Sequence, residues 1–169
     1  KNNVVKGNAQ DGIRIYNSSN LSVEENVVED NGYSGIFLYY VNTGITVKNN
    51  LIRNNVNNYA AGGSAAGLEL YQGSTGTVIE NNRIVQNGSH GIMFYKVDGN
   101  TFTGSTIRHN TIANNTGNGM YFHTATGTWT MGTIRDNILA YNRDYGIENT
   151  SGTNVVVGDN NTFYQNGHD

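Results

Sequence analysis

Asn3, Asn26, Asn50, Asn82, Asn110, Asn137 and Asn161 are each followed five residues later by a second asparagine, at Asn8, Asn31, Asn55, Asn87, Asn115, Asn142 and Asn166. Five of these pairs are followed, four residues further on, by Gly12, Gly35, Gly91, Gly119 and Gly146; Gly67 is a delayed member of the series. A seven-fold repeat of this length describes a solenoid in which each unit packs only on its neighbours.

The stretches between the markers alternate with period two, which means strand. After each glycine, Ile13 and Ile15, Ile36 and Leu38, Leu68 and Leu70, Ile92 and Phe94, and Met120 and Phe122 point one way. Arg14, Phe37, Glu69, Met93 and Tyr121 point the other. A second alternating piece precedes the first asparagine, with Leu21 and Val23, Ile45 and Val47, Thr77 and Ile79, and Ser105 and Ile107 inward. A third lies between the paired asparagines, with Val28, Ile52, Ile84, Ile112, Leu139 and Phe163 inward.

Helical three-and-four spacing and a leucine-rich signature are both absent. The expected fold is therefore all-β: a single-stranded right-handed parallel β-helix of about six to seven coils, three short strands each, rising by about 4.8 Å per coil. It forms one domain over residues 1–169, read as part of a longer protein. The Asn3 to Asn161 series is expected to form a buried ladder of stacked amides, with asparagine also supplying left-handed corner geometry. The repeat glycines are expected at corners needing positive φ or close backbone approach. Lengthened gaps place loops near Val56 to Ala66, Lys96 to Thr103 and Thr124 to Met131, the last two on one edge where they could wall a groove.

Composition narrows the partners. Only 14% of residues are charged and the net charge is -3, so there is no basic field for nucleic acid. There are no cysteines or prolines, which excludes disulfides and cysteine-based metal sites. No apolar run approaches the roughly 18 residues that span a bilayer, and no membrane association is expected. Coils without caps leave open edges, so end-to-end self-association is an expectation.

The pattern Asn82-Arg83-Ile84-Val85-Gln86-Asn87-Gly88-Ser89-His90-Gly91-Ile92-Met93-Phe94, repeated with variation, resembles the right-handed β-helix repeat of pectate-lyase-like proteins, which include polysaccharide lyases, epimerases and tailspikes. The resemblance implies a secreted, periplasmic or cell-surface setting and a polysaccharide partner. It carries fold rather than activity. The epimerase signature of the family needs a proline that this chain lacks, and the paired aspartates of polygalacturonases are missing. A lyase of this family would use calcium, but the aspartates are too scattered for that ligand cluster, so no cofactor or metal is expected.

Stacking the coils in register aligns Tyr16, Tyr39, Tyr71, Tyr95 and His123 on the outside. Such rings offer apolar faces to the C–H faces of sugars and hydroxyls to their rims. With Tyr121, Arg14 and Glu69 beside them, they are the candidate carbohydrate-binding residues. For catalysis, Lys96, His123 and Tyr95 supply the cation, base and phenol that abstraction of a uronate C5 proton would use. Hydrolysis would need two carboxylates about 5–9.5 Å apart, and Glu69 has no aligned carboxylate on adjacent coils. Glu24, Lys48, Glu80, Arg108 and Arg135 form an outward charge column, and His90, His109 and His168 are expected at the surface. The leading expectation is a polysaccharide-binding or polysaccharide-processing segment; the alternative is a structural rod or filament.

Overall fold

The computed structural model describes residues 1–40, 42–56, 65–96, 101–124, 130, 132–152 and 154–168, without the side chains of Lys96 and Thr124. Its strands are all parallel and pair coil to coil. The first sheet stacks Val4–Lys6, Val27–Glu29, Leu51–Arg53, Arg83–Val85, Thr111–Ala113, Ile138–Ala140 and Thr162–Tyr164. The second stacks Ile13–Tyr16, Ile36–Tyr39, Ala66–Tyr71, His90–Lys96, Met120–Thr124 and Ile147–Asn149. The third stacks Ser22–Glu24, Thr46–Lys48, Val78–Glu80, Thr106–Arg108 and Ile134–Arg135. Among the described residues, five turns thus carry all three strands, a sixth carries two, and Thr162–Tyr164 begins a seventh. A short ladder of Asn42–Thr43, Ser74–Thr75 and Phe102–Thr103 adds a fourth face to the middle turns.

The core is the set of inward side chains predicted from alternation. Val28, Ile52, Ile84, Ile112 and Leu139 are fully buried from the first sheet, and Leu38, Leu70, Phe94 and Phe122 from the second. Leu21 is a correction: it is 45% exposed, whereas Ile45, Thr77 and Ser105 at the same position of the next coils are fully buried, because it precedes the edge strand of its sheet and has a neighbouring coil on one side alone. Phe102 is another. It falls in the stretch assigned to a loop, yet it is fully buried with its ring 5.2 Å from Phe94. Val56, Ala65 and Ala66, at the ends of the first expected loop, are buried too, and Ala66 opens a strand; residues 57–64, 97–100, 125–129 and 131 of the three expected loops lie outside the described residues.

Both asparagine series are ladders, not the first alone. Asn82 shows the pattern: its backbone N–H and Nδ2 donate to Asn110 Oδ1 at 2.9 and 3.1 Å, and Nδ2 also donates to the carbonyl of Val47 at 2.8 Å. Its own Oδ1 accepts from the backbone and Nδ2 of Asn50, each at 3.0 Å. Asn55, Asn87, Asn115 and Asn142 repeat this one corner further on. Every buried amide atom in the pattern has a partner, as burial demands.

The left-handed geometry falls one residue earlier than expected. Glu25, Asn49, Asn81, His109 and Asp136 precede first-ladder asparagines and have φ between 53° and 57°. Asp30, Asn54, Gln86, Asn114 and Tyr141 precede second-ladder members with φ between 53° and 58°. The ladder residues themselves are thereby freed to turn their amides inward. The repeat glycines answer to close approach rather than to φ: a Cβ on Gly35 would lie 2.7 Å from Asn55 Nδ2, from the carbonyl oxygen of Gly67 and from Ile52 Cγ2.

Replacing Asn82 with Leu orphans donors and acceptors on both neighbouring coils at about 1–3 kcal/mol per buried group. Urea unfolding of Asn82→Leu is expected to show a loss above ~2 kcal/mol, whereas a near-neutral result would contradict the ladder. Gly35→Ala is expected to cost about 1–3 kcal/mol through overpacking, measured the same way.

Candidate functional site

The outer face of the second sheet carries two columns. Pairing in register places Tyr16 beside Tyr39, Tyr39 beside Tyr71, Tyr71 beside Tyr95 and Tyr95 beside His123. Ring centroids follow at 5.4, 5.6, 5.2 and 4.8 Å, with Tyr71 and Tyr95 within 4° of parallel. This spacing is set by the strands, since rings on adjacent parallel strands must sit about one interstrand distance apart. Tyr16 is 56% exposed and the others partly so. Tyr40 widens the stripe, its ring 5.6 Å from Tyr16.

The second column runs Arg14, Phe37, Glu69, Met93, Tyr121 and Glu148. Alternation put all of these outside, but Phe37, Glu69 and Met93 are buried. Neighbouring side chains on the same face cover them: the Arg14 guanidinium lies 4.9 Å from the Phe37 ring centre and 5.2 Å from that of Tyr39. Glu69 is 2% exposed and accepts a 2.6 Å hydrogen bond from Ser34 Oγ.

Residues of both columns, Arg14, Phe37, Glu69, Tyr39 and Tyr71, line a cleft of about 380 Å³ together with Gln10, Asp11 and Tyr33. Asp11 Oδ2 pairs with Arg14 Nε at 3.2 Å and Oδ1 accepts from the backbone N–H of Ser34 at 3.1 Å. Burial pushes the Asp11 carboxyl above its ordinary range, opposed by Arg14 and the Ser34 hydrogen bond. Burial likewise raises the Tyr71 phenol, assisted by Tyr95, Tyr39 and Glu69. Glu69 has no carboxylate in register beside it, as expected, yet Ser34 holds Asp11 and Glu69 on one wall. Asp11, Tyr33 and Phe37 were missing from the candidates, because they follow no aligned repeat of one residue type.

At the other end of the face Tyr121 Oη lies 3.0 Å from His123 Nδ1, and Thr150 Oγ1 lies 3.4 Å from each. Tyr95 and His123 are therefore together, with Tyr121 joining them. Lys96 is in backbone register with Thr124, but its side chain lies outside the described residues.

His90 corrects another expectation. Its Nδ1 accepts from the backbone N–H of Asn118 at 3.0 Å, and its ring packs 4.6 Å from Tyr121. Burial, helped slightly by His123 and opposed by Asp144, lowers its pKa to about 4. His109 and His168 remain exposed. Residues just before the glycines thus act as unlike members of one capping series: Asp11 caps Ser34, Ser34 caps Ala66, His90 caps Asn118 and Asn118 caps Tyr145. On the outward face of the third sheet, Glu24, Lys48, Glu80, Arg108 and Arg135 align as expected, with Arg108 and Glu80 paired at 2.9 Å.

The parallel coils, the paired amide ladders and the external aromatic column define a β-helix solenoid. Residues 1–167 match the family described as right handed beta helix region, and the chain belongs to that family. No curated protein and no solved structure matches it.

Because the folded state holds His90 neutral, the unfolded chain takes up its proton first as pH falls. The stability contributed by a neutral His90 is expected to be fully present above about pH 6.5 and to be lost as pH falls toward 4. A ¹⁵N-resolved NMR titration should show His90 still neutral near pH 5.5, about one unit below a free imidazole midpoint. A midpoint near 6.5 would contradict the buried acceptor role.

Proposed function

We propose that the protein binds a polysaccharide chain lengthwise along the aromatic column of the second sheet. The observation that carries this reading is the run of rings from Tyr16 to His123 in strand register, at centroid separations of 4.8 to 5.6 Å, beside a cleft that supplies hydrogen-bonding groups. Pyranose rings present flat C–H faces that match such surfaces, while their hydroxyls need donors and acceptors at the edges. Tyr39 and Tyr71 belong to both column and cleft, so a chain lying on the rings meets the polar groups without changing direction. A polysaccharide ligand implies work at a secreted, periplasmic or cell-surface location.

Processing of the bound chain is the finer part of the proposal. Tyr95, His123 and Tyr121 form the cluster from which a proton could be taken or given, because the phenols and the imidazole lie within reach of one another. Lys96, on the strand that carries Tyr95, would supply the cation.

Isothermal titration against a panel of oligosaccharides checks the binding reading. Tyr71→Ala is expected to weaken binding about three- to ten-fold, from the ~0.5–1.5 kcal/mol of an aromatic contact. Tyr164→Ala, on an exposed residue of the first sheet, is expected to leave it unchanged. Equal effects from both substitutions, or no glycan bound by the wild type, would overturn the proposal.

A further inference from the structure

The far end of the aromatic column holds three hydrogen-bonded side chains drawn from two coils. Tyr121 and His123 stand two residues apart on the outward side of one strand, and Thr150 follows the strand paired with it. Their contacts converge on a single ring nitrogen: Tyr121 Oη lies 3.0 Å and Thr150 Oγ1 3.4 Å from His123 Nδ1. The Thr150 hydroxyl donates to Tyr121 Oη and to the carbonyl of Phe122, each at 3.4 Å. None of these bonds uses Nε2, on the other side of the imidazole.

The hydroxyls decide where the imidazole keeps its proton. A phenol gives its proton more readily than an aliphatic alcohol, and its oxygen is the weaker acceptor, because the ring draws off electron density. Tyr121 Oη faces the Thr150 hydroxyl as an acceptor, which leaves its own proton for Nδ1, the shorter contact. The carboxylate in register with Tyr121, Glu148, already accepts from Asn118 Nδ2 at 2.7 Å. Thr150, Tyr121 and His123 then form a chain in which each hydroxyl donates onward and each bond polarises the next. A neutral imidazole that accepts at Nδ1 carries its proton at Nε2.

We infer that Tyr121 and Thr150 fix neutral His123 as the Nε2–H tautomer, so that it meets a bound sugar as a hydrogen-bond donor to an oxygen and not as a base. This rests on the glycan-binding reading and deepens it. The matching group is an oxygen with no proton to offer in return: a ring or glycosidic ether oxygen, or a carboxylate. An N–H held toward such an oxygen also steadies negative charge that develops there. In the processing of a bound chain His123 therefore stands on the donor side of the cluster it forms with Tyr95 and Tyr121. Tyr121 and Thr150 are positioning residues that act through the imidazole.

The test is long-range ¹H–¹⁵N NMR of the imidazoles near pH 8, above the roughly 6.5 midpoint of an ordinary histidine, with His123 assigned by the signals missing from His123→Gln. The wild type is expected to show Nε2 protonated and Nδ1 unprotonated, with Nδ1 displaced from the free position by the bond from Tyr121. Tyr121→Phe is expected to return Nδ1 to the shift of a free unprotonated nitrogen. Thr150→Val is expected to move it part of the way, and serves where Tyr121→Phe does not fold; circular dichroism confirms the fold of each variant. Titration of the wild type with a neutral hexose oligomer and a uronate oligomer of matched length is expected to move Nε2 on binding of at least one, with Nδ1 still unprotonated. A response to the hexose assigns an ether oxygen and a response to the uronate alone a carboxylate; either supports the inference. Tyr121→Phe is expected to weaken that binding about two- to ten-fold, the worth of one hydrogen bond. An Nδ1-protonated imidazole, or Nδ1 shifts that are the same in the wild type and the folded variants, would overturn the inference while leaving the aromatic column as the binding face wherever an oligomer binds. Absence of binding to both oligomers would overturn the glycan-binding reading and the donor role with it.

Discussion

The hydrogen bonding of asparagine side chains between coils is the constraint on which this structure depends. A parallel coil has few covalent or local devices to hold its register, and a slip of one residue would turn core side chains outward. Two amide ladders, at either end of the first sheet, oppose that slip. Each ladder member both gives to the next coil and receives from the previous one, as Asn82 does between Asn50 and Asn110. Misalignment would therefore break donors and acceptors on two coils together. The burial of these amides makes the arrangement demanding as well as stabilising, since each unmade bond costs more than a made one contributes.

Register in the corners becomes chemistry on the faces. The repeat glycines let the second sheet approach the second ladder closely, with Gly35 packed against Asn55 and Ile52. That sheet then presents its outward residues in vertical files. Tyrosines separated by 23 to 32 positions along the chain come to lie ring over ring. The same files bring Arg14, Phe37 and Glu69 to one wall, where Ser34 joins a carboxylate from the third coil to one from the first. A polar cleft thus arises from side chains that have no local relation in sequence.

Much of this was legible from the residues, and the limits have physical causes. Alternation identified the core from Ile36 to Phe122 because inward and outward residues of a parallel strand differ so strongly in polarity. It could not show that Phe37, Glu69 and Met93 are buried, since period two reports the side of a strand and not what covers that side. The Asn8 to Asn166 series was as periodic as the first, but periodicity alone does not distinguish a turn asparagine from one whose amide points inward. Left-handed geometry was assigned to the ladder residues, whereas it falls on their predecessors, which are as varied as Glu25, His109 and Tyr141. That variety hid the position. The Asp11, Ser34, His90 and Asn118 series was hidden for a similar reason: four different side chains perform one capping task, and a repeat search sees identity rather than function.

The most direct test of the account is hydrogen exchange of the asparagine side-chain amides, followed by NMR. Asn55, Asn87, Asn115 and Asn142, buried and bonded in the second ladder, are predicted to exchange slowly and together, with the protection of the core strands. The exposed Asn17 and Asn20 are predicted to exchange at rates near those of a free amide. Ladder amides exchanging as fast as those two, within core strands that remain protected, would contradict the claim that side-chain bonds between coils hold the register.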